Sequence, residues 1–259
     1  VALHGLRMAV GAIVMFGTAT RWTFQFADDL PRYRYARLRW EQHDGMPSSR
    51  WWMKQHHDIL GQGLANCFML AIPCAVACHD ARDVASAVEV LGWLLWMAAW
   101  VFENIADGQK QLFLWESAKA GHSTAVLGYH PYDGRRYSLW TLCRHPNYFA
   151  EWVCWVGLCL AAAPSLVEGD GESAQVRLVF GASLLYLPRV MYDCLVWWTG
   201  AGPAEHFSVT KRAAYREYQT KTRCFWPIEL PVDHMRIAGW PDVNVVAAKA
   251  TRSPPEKAK

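Results

Sequence analysis

The stretch Cys143–Trp155, C-R-H-P-N-Y-F-A-E-W-V-C-W, puts two bases, an amide, a phenol and a carboxylate within eight residues, from Arg144 to Glu151. Pro146 presets φ for a first helical turn and the residues after it sustain a helix, so Asn147, Glu151 and Trp155 share one face at i, i+4 and i+8. Arg144 and His145 precede that helix, and a cation beside a helix N-terminus suits an anion such as a phosphate. The same face runs into an apolar stretch reaching Val167. A carboxylate carried towards the centre of a membrane helix costs roughly 2.5–3.5 kcal/mol, so Glu151 needs a partner or a task. A second set stands at Glu103, Asp107 and Gln111, again i, i+4 and i+8, with Lys110 beside it; a third is Tyr215, Arg216, Tyr218 and Lys221.

These groups need elements to carry them, and the composition says which. Hydrophobic residues make up 53% of the 259 and charged residues 19%, with 15 Trp, the balance of a membrane protein. Five apolar stretches read as spans: Met8–Phe26, Ile59–His79, Val84–Ile105, Tyr148–Val167 and Val176–Thr199. Lys and Arg between and after them number six in 27–58, one in 80–83, five in 106–147, one in 168–177 and ten after 200, so the basic loops alternate and fall on one side. The expected fold is an all-α polytopic transmembrane bundle of about five spans with interfacial helices. Residues 1–227 form its transmembrane domain, and 228–259 form a polar, proline-containing tail with too little apolar surface to order itself. The Arg- and Trp-rich Ala27–Asp58 and the basic Pro203–Thr222 read as segments lying at the membrane interface. Gly61 and Gly63 are expected to permit close helix contact, Arg189 and Asp193 to pair one turn apart, and Pro188 to kink its helix.

Four blocks resemble, in one chain, the steroid 5α-reductase-like membrane family, above all its domain-of-unknown-function branch. They are Arg144–Trp152 (R-H-P-N-Y-F-x-E-W), Glu103–Lys110 (E-x-x-A-D-x-Q-K), Tyr215-x-x-Tyr218 with Lys221, Thr222 and Phe225-x-Pro227, and Asp29–Arg39 with the later Gln62-Gly63. The resemblance spans residues 29–227. It implies NADPH held inside a helical bundle by Glu103, Asp107, Lys110, Arg144, His145, Asn147, Tyr215, Arg216 and Lys221, with Glu151, Tyr148 and Tyr218 as the catalytic set. The reaction it implies is hydride transfer to a C=C bond of a sterol-like or other unsaturated lipid. Only one short apolar segment precedes the Asp29–Arg39 block, where the family carries more spans, which leaves the substrate half of the pocket cut down. An alternative follows: a catalytically idle, reductase-derived accessory subunit of a larger membrane complex, with neighbouring subunits contacting 228–259. The endoplasmic reticulum fits the first reading, the mitochondrial inner membrane the second, and membrane lipids are partners in both.

Other chemistries are excluded or weak. No G-x-G-x-x-G after a strand and no P-loop appear. A net charge of +3 is too small to argue for nucleic acid. The eight Cys sit mostly in apolar runs as small hydrophobes, and Cys74-x-x-x-Cys78-His79 lacks zinc-finger spacing, so no metal is expected.

Overall fold

The computed structural model describes residues 5–6, 9–10, 31–78, 80, 82–168 and 173–228. Nearly all of the expected first span Met8–Phe26 and of the tail 228–259 lies outside them. Every element among the described residues is helical: α1 Pro31–Asp44, α2 Trp51–Phe68, α3 Ile72–Ala77, α4 Ala87–Lys119, α5 Ser138–Leu142, α6 Pro146–Ala162, α7 Ser165–Glu168, α8 Ala174–Asp193, α9 Ala201–Lys211 and α10 Tyr215–Lys221. Three stretches are long and apolar enough to cross a membrane: Ala87–Lys119, Pro146–Val167 and Ala174–Lys211. The fold is a helical membrane bundle.

The expected span Ile59–His79 is not one helix. α2 ends at Phe68, and after a turn α3 begins with Pro73 in its first turn. Proline has no N–H to continue the ladder, and Ile72 N–H instead bonds back to Met69 O at 3.2 Å, so a tight turn replaces the helix. The third span is longer than expected. Ser86 caps α4 by accepting from Glu89 N–H at 3.2 Å, and Glu89 three residues in completes the Ser-x-x-Glu pattern. At the other end His122 N–H bonds Ser117 O at 2.8 Å and Gly121 N–H bonds Ala118 O at 3.1 Å, the paired closure of a Schellman turn. The 33 residues between reach about 50 Å at 1.5 Å each, against about 30 Å of hydrocarbon. The helix therefore projects past the apolar layer, and its last turns, including Asp107 and Lys110, can build a site there.

α4 and α6 form the central antiparallel pair. Gly92 faces Ala161 near one end, and Asp107 faces Asn147 at the other. A Cβ on Gly92 would lie 2.4 Å from Ala161 N, and one on Gly157 would lie 2.8 Å from Trp96 N, so only glycine lets these backbones meet. Gly61 and Gly63, the glycines expected at a helix contact, instead have nothing within 4 Å of their Cβ positions. α3 and α8 pack on α6 through Val76, Cys159, Ala162, Leu184, Leu187 and Met191. Trp96 is buried and stacks on Trp100 at 6.2 Å, while Trp93 is exposed, a division between packing and lipid-facing belt.

Arg189 Nε donates to Asp193 Oδ2 at 2.9 Å across one turn of α8, as its spacing predicts. A π-helical turn, Cys194–Trp198, then leads to Gly200, whose Cβ would lie 1.9 Å from Leu195 O. That joint redirects the chain and brings α9 inward. Pro203–Thr222 is not one helix: α9 ends at Lys211 and α10 begins at Tyr215. Ala201, Gly202, Pro203, Glu205 and His206 of α9 are buried, as are Tyr215 and Tyr218 of α10. The following Phe225 and Trp226 lock into a ring cluster with Phe149, Trp152 and Tyr192.

Candidate functional site

The site is assembled where the N-terminus of α6 meets α9, α10 and the last turns of α4. The segment entering α6 is fixed by its backbone: Arg144 N–H bonds Arg223 O at 2.8 Å and His145 N–H bonds Cys224 O at 3.1 Å. Side chains then converge on Glu205 of α9. Arg144 Nε donates to its Oε1 at 2.6 Å and Arg144 Nη2 to its Oε2 at 3.0 Å. Gln219 Nε2 donates to Oε2 at 2.7 Å, and the Cys224 thiol reaches Oε1 at 3.6 Å. His145 Nε2 lies 3.0 Å from Oε1; a carboxylate only accepts, so this nitrogen carries the hydrogen. Arg144 Nη1 donates to the carbonyls of Gln219 and Thr222, tying α10 into the same knot.

Arg144 and Glu205 are each more than nine-tenths buried. Such a pair is tolerated because nearly every lone pair and N–H is satisfied, and the bidentate geometry recovers much of the desolvation cost. Burial opposes the Arg144 charge, but the Glu205 carboxylate outweighs it and raises the pKa above the ordinary guanidinium value. For His145 burial prevails over Glu205 and lowers the pKa, so the ring is neutral with its hydrogen on Nε2. Burial, reinforced by Glu205, pushes the Cys224 thiol well above its usual range. His145, Glu205 and Cys224 lie close enough to suggest metal ligands, their donor atoms within 4.8 Å of one another. The guanidinium already occupies both oxygens of the carboxylate, and the thiol is held protonated, so the donor set is that of a hydrogen-bond knot.

Beside the knot opens a cleft of about 120 Å³. Seven of the residues proposed from sequence meet on its wall: Lys110, Arg144, His145, Asn147, Tyr148, Tyr215 and Tyr218. Asp107 stands behind, accepting from Asn147 Nδ2 at 3.1 Å. That bond fixes the amide's orientation, and it leaves Asn147 Oδ1 buried without a hydrogen-bond partner. The Tyr148 ring stacks on His145 with centroids 5.3 Å apart and planes 6° from parallel. Its hydroxyl makes no hydrogen bond among the described residues. Tyr218 is different. Its hydroxyl donates to Trp140 O, whose indole donates in turn to Ala106 O at 3.0 Å. Burial raises the pKa of both Tyr218 and Tyr215 above the ordinary phenol value.

The remaining proposed residues stand elsewhere. Glu103 is buried on α4 and Glu151 half-buried on α6, and neither lines the cleft. Arg216 is exposed; Lys221 pairs with Glu217 at 2.7 Å and lies over the Tyr129 ring. Arg144, expected to receive a phosphate, has one N–H on Nε, two on Nη1 and one on Nη2 committed, leaving one of five. Two polar cleft residues escaped sequence reading, Ser208 and Arg212, as did Glu205 itself. Arg212 Nη1 donates to Ser208 Oγ at 3.4 Å, and its buried Nε has no partner. Lys110 forms no ion pair among the described residues. The available signal was that Glu205 is the one carboxylate between Cys194 and Arg216 in an otherwise apolar and basic stretch.

A family model described as a protein of unknown function, DUF1295, matches residues 5–222, which takes in the cleft, the helices that carry it and the knot apart from Cys224. The chain belongs to this family. No curated protein and no solved structure matches it. The family thus fixes kinship without assigning chemistry, and the cleft has to be read from its own residues.

Proposed function

We propose that the chain is a steroid 5α-reductase-like membrane reductase, using NADPH to reduce a C=C bond of a sterol-like or other unsaturated lipid. One observation carries this reading. The cleft wall holds Lys110 and Arg212 without ion-pair partners among the described residues and no carboxylate at all, and the unpartnered Oδ1 belongs to Asn147 on the same wall. A site with surplus positive charge and one orphaned acceptor fits a phosphate-bearing ligand that also offers an amide or hydroxyl donor. Lys110 and Arg212 would hold phosphate, and Asn147 Oδ1 would accept from the carboxamide or a ribose hydroxyl.

When bound, NADPH supplies a hydride. Reducing a C=C bond also requires a proton at the other carbon, and the Tyr148 hydroxyl is a cleft-wall donor with no protein acceptor among the described residues. Glu205 positions it indirectly, by fixing the His145 ring on which Tyr148 stacks. The test is NADPH binding to the protein in lipid nanodiscs, followed by intrinsic tryptophan quenching. Arg212→Gln is expected to weaken binding about tenfold, the worth of one charge-assisted contact. Absence of saturable NADPH binding by the wild-type protein would sink the reading.

A second reading is supported by size. A cleft of 120 Å³ is below the ~300–1,000 Å³ of ordinary ligand sites and takes part of a dinucleotide at most. That favours an accessory subunit whose pocket is idle. Co-purification of stoichiometric membrane subunits in mild detergent, with no NADPH binding, is its expected result.

A further inference from the structure

A larger cavity, about 530 Å³, lies between α1, α2 and the turn that joins α8 to α9. Unlike the cleft, it falls inside the ~300–1,000 Å³ range of ligand sites. Its wall carries four aromatic rings, from Tyr33, Tyr35, Trp40 and Trp198, of which Tyr35 and Trp40 are buried. Two opposite charges are left over on it. Lys54 is already taken, 2.6 Å from Asp44 Oδ2 and over the Trp40 ring, so it offers no charge to a ligand. Arg39 makes no hydrogen bond or ion pair among the described residues. Among the described residues Asp58 has as charged partner only the exposed His57 ring, at 3.8 Å.

An unpaired guanidinium suits a phosphate, while aromatic faces beside a carboxylate suit an alkylammonium. Both belong to one ligand class. We propose that this cavity binds a zwitterionic phospholipid headgroup, its phosphate on Arg39 and its ammonium among the rings and Asp58. The setting agrees: Trp51, Trp52 and the arginines of α1 are the residues that settle at the headgroup level of a bilayer. A nucleotide is disfavoured here, because its second phosphate would meet Asp58 instead of a second free cation. The site is independent of the reductase reading.

Gly61 on the cavity wall supplies the decisive variant. Its Cβ position meets nothing within 4 Å, so Gly61→Phe fills the space without a backbone clash, and phenylalanine favours a helix interior more than glycine does. The probe is dihexanoylphosphatidylcholine, kept below its micellar concentration and titrated by calorimetry into protein held in maltoside micelles. Saturable binding is expected, weakened about tenfold by Arg39→Gln and abolished by Gly61→Phe with no loss of melting temperature. The anionic dihexanoylphosphatidylglycerol, lacking the ammonium, is expected to bind more weakly. Unchanged affinity in Gly61→Phe, equal affinity for the two lipids, or no saturable binding at all overturns the proposal. If Gly61→Phe fails to fold, Arg39→Gln decides alone: the tenfold loss supports the site and unchanged affinity overturns it.

Discussion

The bundle is tied by a polar knot at each end, and the two are built to different standards. At one end Glu205 collects Arg144, His145, Gln219 and Cys224 under nearly complete burial. At the other, Asp80 takes Arg82 Nε at 2.8 Å and Nη2 at 2.6 Å and Ser165 Oγ at 3.1 Å, while Arg82 also reaches Glu89 at 3.0 Å. That second knot links α4 to the start of α7, but its carboxylates stay partly open to solvent. Hydrogen bonds from Arg82 hold the Asp80 carboxyl well below its usual range. The lesson is that similar residue types have opposite consequences for stability. In water's reach an ion pair fastens two elements and is replaceable, whereas in the dry end every partner becomes obligatory, because losing one strands another's charge. The obligatory knot is the one beside the cleft.

The contrast can be broken by substitution. Glu205→Ala is expected to destabilise by about 3–5 kcal/mol, since Arg144 is left buried and uncompensated; loss of a cooperative melt in detergent is the readout. Glu205→Gln keeps the shape and one acceptor, so it should melt between wild type and Glu205→Ala. Arg82→Gln, made at the open end, should shift the melting temperature far less than either, and a shift as large as that of Glu205→Ala would erase the distinction between the knots.

A change of pH sharpens the comparison without changing a side chain. The folded state lowers the His145 pKa, chiefly by burial, from an unfolded value near 6.5. Stability from keeping this ring neutral is therefore complete above pH ~6.5 and is lost as pH falls through the folded pKa. Melting curves between pH 8 and 5 should show that decline, and His145→Gln should flatten it. Asp80 gives stability that is complete above its unfolded pKa and is lost only as pH falls through its lower folded value, beneath the window of the His145 decline.

Much of the site could be read in advance because it obeys helical periodicity. Asp107 and Lys110 share the outer end of α4, while Asn147 and Tyr148 share the first turn of α6, and helical spacing alone fixes such neighbours. The same logic did not bring Glu151 and Glu103 to the cleft wall. Periodicity shows that residues share a helix face; it leaves open whether that face turns to the cleft or to a neighbouring helix. Pro203–Thr222 failed for a different reason. Its basic residues describe one helix at a surface, but the stretch breaks between Lys211 and Tyr215, and the small Ala201, Gly202 and Pro203 let the start of α9 be buried. The span expected at Ile59–His79 had the right hydropathy but carried Pro73, whose missing N–H is a local fact that an average over a window hides.

The sequence by itself determined an all-helical membrane bundle and the cleft residues contributed by α4 and α6, because hydrophobic patterning and helical spacing act over a few turns. Only the tertiary structure decided that Arg144 is committed to Glu205, that Arg212 stands on the cleft wall, and that α1 and α2 line a second cavity. Those outcomes depend on which residues, some 60 apart in the chain, are brought within 3 Å of each other, and no local pattern records such a distance.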